Sequence, residues 1–237
     1  VGAMKDNLFI RYFEWQEKRC YKSAKHIVVV TDSFKRKLVE RGIAAEKISV
    51  VKNGVNKDLF QPVPKDEALI KQLHLEGKTI IGYIGTHGMA HKLDFILEAA
   101  HRLEGDSSLH FLLIGGGAMK EQLLKQKEEL GCTNVTMLDP VMKNEVARYI
   151  SILDVCLINL KKSPLFTTVI PSKMFENAGM GKPILMGVEG EAKDIIESYG
   201  AGVCFEPENY DDFAAKLHYL LTPSVYDECK RNCKRLA

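Results

Sequence analysis

The sequence predicts an α/β protein built on a doubly wound parallel sheet with helices over both faces. Three observations lead there. From Lys78 onward, runs of Val, Ile and Leu alternate with amphipathic segments, the pattern of parallel strands joined by crossover helices. Glycines gather directly after the first two runs, at Gly85-Thr-His-Gly88 and Gly115-Gly-Gly117, and the carboxyl ends of strands in such a sheet are where ligands bind. A composition of 46% hydrophobic and 27% charged residues over 237 positions is that of a folded globular chain, not a disordered one.

The first 25 residues set Leu8, Phe9, Tyr12, Phe13, Trp15, Cys20 and Tyr21 among charges and read as one amphipathic helix, which needs a surface to cover. His26 to Val30 reads as a buried strand, Thr31-Asp-Ser33 as a capped helix start, Phe34 to Arg41 as the helix and Gly42 as its end. Ile48 to Val51 is a second strand, Lys52-Asn-Gly-Val55 a turn, and Gln61-Pro-Val-Pro64 a stiff connection taken as a domain boundary. Strands are then expected at 79–84, 109–114, 134–137, 154–159, 183–186 and 202–205. Helices are expected near 91–103, 118–130, 143–151, 172–179, 191–198 and 209–221. A last basic helix, Val225 to Ala237, has no evident partner.

A net charge of +2 is too weak for nucleic acid as the main partner. It is uneven, however. Residues 1–47 hold eleven Lys and Arg against six Asp and Glu, which serves either a solvated helix face or attraction to anionic lipid or a phosphorylated substrate. No apolar run reaches the roughly 18 residues of a membrane helix, and no hydrophobic stretch near the first residue makes a secretion signal, so a cytoplasmic location is expected. Of six scattered cysteines, Cys132, Cys156 and Cys204 sit in or beside strands as small core residues. Cys229 and Cys233, at i,i+4, could hold half of a metal site, but no second pair completes it, and neither metal nor cofactor is expected.

The densest chemistry lies in Ile170-Pro-Ser-Lys-Met-Phe-Glu176 and the following Gly179, Gly181 and Lys182-Pro-Ile-Leu185. Pro171 and Ser172 read as a helix start, with Ser172 able to cap free amides, so an anion there would meet N–H donors, the positive dipole end and the Lys173 ammonium. Glu176, one turn on, could accept from ligand hydroxyls. An ordinary surface pair of Lys173 and Glu176 is the competing reading. Nothing matches a Walker loop or GxGxxG.

Three segments in order, Gly82-Tyr-Ile-Gly-Thr-His-Gly-Met-Ala-His-Lys-Leu-Asp94, Leu112-Leu-Ile-Gly-Gly-Gly117 and Ile170 to Glu176 with Gly181-Lys-Pro183, resemble the family 4 glycosyltransferases. The likeness is nearest to the bacterial exopolysaccharide and O-antigen sugar transferases, and Lys52-Asn-Gly-Val-Asn56 with Phe60-Gln-Pro62 looks like that family's interdomain linker. The resemblance implies one half of a GT-B architecture. Residues 1–51 would end the acceptor-binding N-terminal domain, 52–64 would be the linker, and 65–237 the Rossmann-like domain that binds the nucleotide-sugar donor. The chain is then a truncated half, expected to bind nucleotide and turn over poorly.

By the same resemblance Gly85, Thr86, His87 and Gly88 face the donor diphosphate and sugar, with Gly115 on the neighbouring loop, and Pro140-Val141-Met142 lie against the nucleobase. Pro171, Ser172 and Lys173 meet the diphosphate, Lys173 as the catalytic cation, and Glu176 bonds the ribose. Two positions depart from the pattern. Thr168 stands where the family has the first of two glutamates, and Lys92, displaced by one position, either binds phosphate or faces solvent. Glu189 and Glu191 read as caps of the next helix.

The function implied is a retaining transfer of a sugar from a nucleoside diphosphate, with uridine as the first guess, to a lipid-linked saccharide of the cell envelope. The enzyme would sit in the cytoplasm or peripherally at the inner face of the membrane, without nucleic acid. Two alternatives stay open: a sugar-nucleotide epimerase on the same fold, or a nucleotide-binding module without chemistry, which the Thr168 departure motivates.

Overall fold

The computed structural model describes residues 8–237. Helix α1 (Leu8–Ser23) forms as expected, and the remainder of the expected helix, residues 1–7, lies outside the described residues. It buries no residue of its own, and Leu8, Phe9, Phe13 and Trp15 all stand exposed. Strand β1 (Ile27–Val29) pairs in parallel with β2 (Ile48–Val50), in the register Ile27 to Ile48. Between them α2 (Asp32–Glu40) starts at Thr31, whose hydroxyl accepts from the Phe34 amide at 2.9 Å. Leu38, Ile43 and Ile48 fill the core of this small unit. The strand expected to be buried is only half so: Val28 is 63% exposed, because two strands and one helix leave the second face of the sheet uncovered.

A helix not expected from the sequence follows the proline connection. Helix α3 (Glu67–Gln72) is only six residues long, is started by the Asp66 carboxylate accepting from the Leu69 amide at 2.8 Å, and buries Leu69 and Ile70. From there the order is β3 (Thr79–Ile84), α4 (Leu93–Arg102), β4 (Leu109–Ile114), α5 (Lys120–Leu130), β5 (Val135–Leu138) and α6 (Val146–Ile152). It continues with β6 (Val155–Asn159), α7 (Lys173–Gly179), β7 (Ile184–Gly187), α8 (Glu191–Tyr199), β8 (Gly202–Cys204), α9 (Tyr210–Leu220) and α10 (Pro223–Leu236). The six strands from β3 on form one parallel sheet in the order β5-β4-β3-β6-β7-β8. The strand order reverses between β3 and β6, so the crevice for a ligand opens at their carboxyl ends.

Alternation along the strands sends side chains to two cores. Ile81, Phe111, Leu113, Leu157 and Leu185 face α4, α5 and α9, where Phe205 and Phe213 meet edge to face with centroids 5.0 Å apart. Ile80, Leu112, Ile114 and Cys156 face α3 and α6, while Ile158, Ile184 and Met186 face α7, α8 and α10. Each fully buried aliphatic or aromatic side chain contributes roughly 1.5–3 kcal/mol.

The last helix corrects one expectation. Helix α10 is not without a partner: it packs across α7 and α8, burying Cys229, Cys233 and Leu236 in one i, i+4, i+7 stripe. Cys233 Sγ donates to the Lys182 carbonyl at 3.3 Å, and burial pushes the Cys229 thiol up to about 11 and the Cys233 thiol to about 12. These cysteines serve packing. Lys182, just before β7, is also buried, and its ammonium donates to the Ser151 and Leu153 carbonyls at 2.6 and 2.8 Å, closing the end of α6. Lys182→Met should therefore cost about 3 kcal/mol, read as a lower midpoint in urea unfolding, because two buried carbonyls lose their donor. A loss below about 0.5 kcal/mol, the scale of an exposed substitution, would contradict this role.

Candidate active site

The crevice is built from two glycine loops and the start of α7. As β3 ends, the Gly85 amide donates to the Ile114 carbonyl at 2.9 Å, the His87 amide to Gly116 O at 2.8 Å, and the Met119 amide to His87 O at 2.9 Å. The loops after β3 and β4 are thus zipped together. At Gly115, with φ +146°, a Cβ would lie 1.8 Å from the Gly85 carbonyl oxygen, so only glycine allows this approach. Beside the loops is a cavity of about 350 Å³. Ile84, Ile114, Pro140, Val141 and Val146 give it apolar walls, and Gly85, Thr86, Gly115 and Gly116 complete it.

Lys173 opens α7 and reaches the Gly85 loop, where its Nζ is buried without a hydrogen bond. A Cβ on Gly85 would lie 2.6 Å from that nitrogen. The ammonium instead sits 3.8 Å from the centroid of the fully buried Tyr83 ring. Desolvation, opposed by the nearby Glu176 carboxylate, lowers its pKa to about 8. Glu176 is half-buried one turn along. The surface-pair reading fails for Lys173, whose charged end is enclosed.

His87 is enclosed too, with neither ring nitrogen bonded; burial and the charges of Lys120 and Lys173 push its pKa down to about 4, leaving the ring neutral near pH 7. Ser172 precedes α7 in helical conformation (φ −58°, ψ −32°) and is exposed, and its hydroxyl makes no capping bond. The expected cap is therefore absent, because a cap needs an extended residue there.

Residues 64–235 match the family model described as Glycosyl transferases group 1, and residues 3–59 match the one described as Glycosyltransferase Family 4. The chain belongs to the group 1 glycosyl transferases. Among its relatives, WcaI of Escherichia coli, named for colanic acid biosynthesis, is 28% identical over 83% of this chain and 49% of its own length. TuaH of Bacillus subtilis, named for teichuronic acid biosynthesis, is 30% identical over 88% of this chain and 52% of its own. The chain spans about half the length of the curated relatives it matches. Anabaena Alr3699/HepE, solved with UDP-glucose, has the same fold at a TM-score of 0.80 and 16% identity, over 98% of this chain and 65% of that one. The C-terminal domain of LpcC from Francisella tularensis matches at 0.62 and 20% identity, over 77% of this chain and 96% of that domain.

Within this group 1 glycosyl transferase fold, Gly85, Thr86, Gly115, Val141 and Lys173 converge on the crevice. Other expected residues lie apart from that cluster. Met142 is 66% exposed, and the Lys92 ammonium is paired with Asp94. Thr168 turns to the small N-terminal unit: its hydroxyl accepts from Lys37 Nζ at 3.3 Å and its carbonyl from the Thr31 hydroxyl at 3.4 Å. Glu191 reaches the same unit, accepting from the Ser33 amide at 3.1 Å at the start of α2 as well as opening its own helix.

Two residues of the site escaped sequence reasoning. Lys120 donates to the Gly115 and Leu138 carbonyls at 3.1 and 2.6 Å and so fixes the ends of β4 and β5. Tyr83 lies under Lys173, and the only hint of it is a phenol hydroxyl near the carboxyl end of a strand rich in Ile. His101, Glu104 and Cys132 bring potential metal-ligand atoms within 4.8 Å of one another, but at the other end of the sheet, where Glu104 already accepts from the Thr133 amide and hydroxyl. Among the described residues no helix is long and apolar enough to cross a membrane.

Proposed function

We propose that the chain is the donor-binding part of a glycosyltransferase that uses a nucleoside diphosphate sugar, uridine being the favoured base. The observation that carries this reading is the buried Lys173 ammonium, unpaired and pressed against the zipped glycine loops beside an apolar cavity. An unpaired buried cation is costly unless an anion completes it. A base fits the apolar walls at Pro140 and Val141, the diphosphate lies between the Gly85 loop and Lys173, and Glu176 accepts from the ribose hydroxyls. The structurally similar Anabaena protein was solved with UDP-glucose, which supports a nucleotide-sugar donor for this reading.

In this reading the bond from the anomeric carbon to the diphosphate oxygen breaks with its electron pair on that oxygen, where Lys173 stabilises the charge, while an acceptor hydroxyl oxygen bonds to the anomeric carbon and its proton passes to the departing diphosphate. Transfer is with retention to a lipid-linked saccharide in envelope polysaccharide synthesis, in keeping with the names of WcaI and TuaH. No metal or cofactor takes part. Residues 1–51 serve as the end of an acceptor-binding domain, 52–64 as linker and 65–237 as the donor domain, in the cytoplasm or at the inner membrane face.

Calorimetric titration with UDP, GDP and ADP from pH 6 to 9.5 tests the reading. The site holds Lys173 below its ordinary pKa, at about 8, and a bound diphosphate favours the ammonium, so binding takes up a proton above that pH. Above the terminal phosphate's own ionisation, at about pH 6, UDP affinity should be level up to pH 8 and fall by up to about tenfold per unit beyond it. His87, neutral from well below pH 6, adds no step in that range. An affinity flat to pH 9.5 would remove Lys173 from the diphosphate.

A further inference from the structure

We propose that Tyr83 is the positioning residue of this site: its ring carries the Lys173 ammonium and its hydroxyl ties down the loop that the ammonium faces. The proposal rests on the reading that Lys173 meets the donor diphosphate. Tyr83 is fully buried in β3, and its Oη donates to the Thr86 carbonyl at 2.9 Å. The same side chain lies 3.8 Å beneath Lys173 Nζ, measured to the ring centroid. One residue thus contacts both halves of the phosphate-binding constellation, the helix lysine and the glycine loop.

The ammonium needs this support because, among the described residues, no other side chain bonds it. Glu176 on its own helix acts on it only through space, as does the Cys156 thiol on β6, and the rings of His87 and His91 flank Tyr83 at 6.1 and 5.7 Å without bonding Lys173. An aromatic face attracts a desolvated cation strongly while using none of its N–H donors. All three donors therefore stay free for phosphate oxygens, which a carboxylate partner would not permit. The ring holds the cation in place before a ligand binds, so the ligand does not bear the cost of placing it.

A substitution series read by UDP calorimetry and thermal melting at pH 7 tests the proposal. Tyr83→Phe keeps the ring and should bind UDP within about threefold of the parent. Phenylalanine fluorinated at three ring positions, placed at residue 83, has nearly the same shape but an electron-poor face, and should bind roughly tenfold more weakly than Tyr83→Phe at an equal melting temperature. Lys173→Ala should remove most of the affinity. Equal affinity in the two ring variants, with Lys173→Ala still impaired, would overturn the role of Tyr83 while leaving the diphosphate reading intact. Unchanged affinity in Lys173→Ala would overturn the diphosphate reading, and the role of Tyr83 with it.

Discussion

Lys173→Ala should weaken UDP binding about 100-fold, or about 2.7 kcal/mol, while the melting temperature holds or rises. The size follows from charge-assisted bonds to phosphate made in an enclosed place, each worth roughly 1.5–3 kcal/mol. The opposite sign for stability follows from the surroundings of the buried ammonium, which has a ring face but no hydrogen bond. Removing a desolvated charge relieves the fold while removing function, the trade expected where a site is strained for binding. Calorimetry and a melting curve on the same sample check both signs. A loss of affinity under about threefold, or a marked fall in stability, would mean that the lysine serves the fold.

Gly115→Ala should have the largest effect on stability, a loss of at least about 3 kcal/mol or failure to fold. A methyl group there would sit 1.8 Å from the Gly85 carbonyl oxygen, and that oxygen belongs to backbone that cannot swing aside like a side chain. The φ of +146° adds strain for any residue with a Cβ. Gly131→Ala is the internal comparison: its φ is also positive, at +69°, but nothing lies within 4 Å of its Cβ. It should cost only about 1 kcal/mol. Equal losses for the two in urea unfolding would show that the zipped loops tolerate separation.

The strands of the large sheet were legible because each is a mostly apolar run between breakers. Strands β3 and β4 fall on the expected residues, and the other strands of the large sheet shift by a residue at their ends. Helix α3 escaped because six residues give too little periodicity, leaving only Asp66 as a signal. The docking of α10 escaped because its charges outnumber its stripe of Cys229, Cys233 and Leu236. In the site, the glycine loops and Lys173 could be read from their place after strands. Their depth could not, since enclosure of the ammonium depends on Gly85 leaving room for a side chain from a distant helix. The turn of Thr168 toward Lys37 was equally hidden, because that contact crosses between two sheets.

The packing of α10 against α7 sets an order of events during protein synthesis. The helix that bears Lys173 and Glu176 leaves the ribosome before the helix that covers it, and at 5–20 residues per second the gap is roughly 3–11 s. The last two strands of the large sheet, β7 and β8, emerge within that interval, while Phe175 and Ala178 still lack Cys233 and Leu236 as neighbours. A nascent chain halted before Pro223 would carry every crevice residue named above and still be without the backing that holds α7 in place.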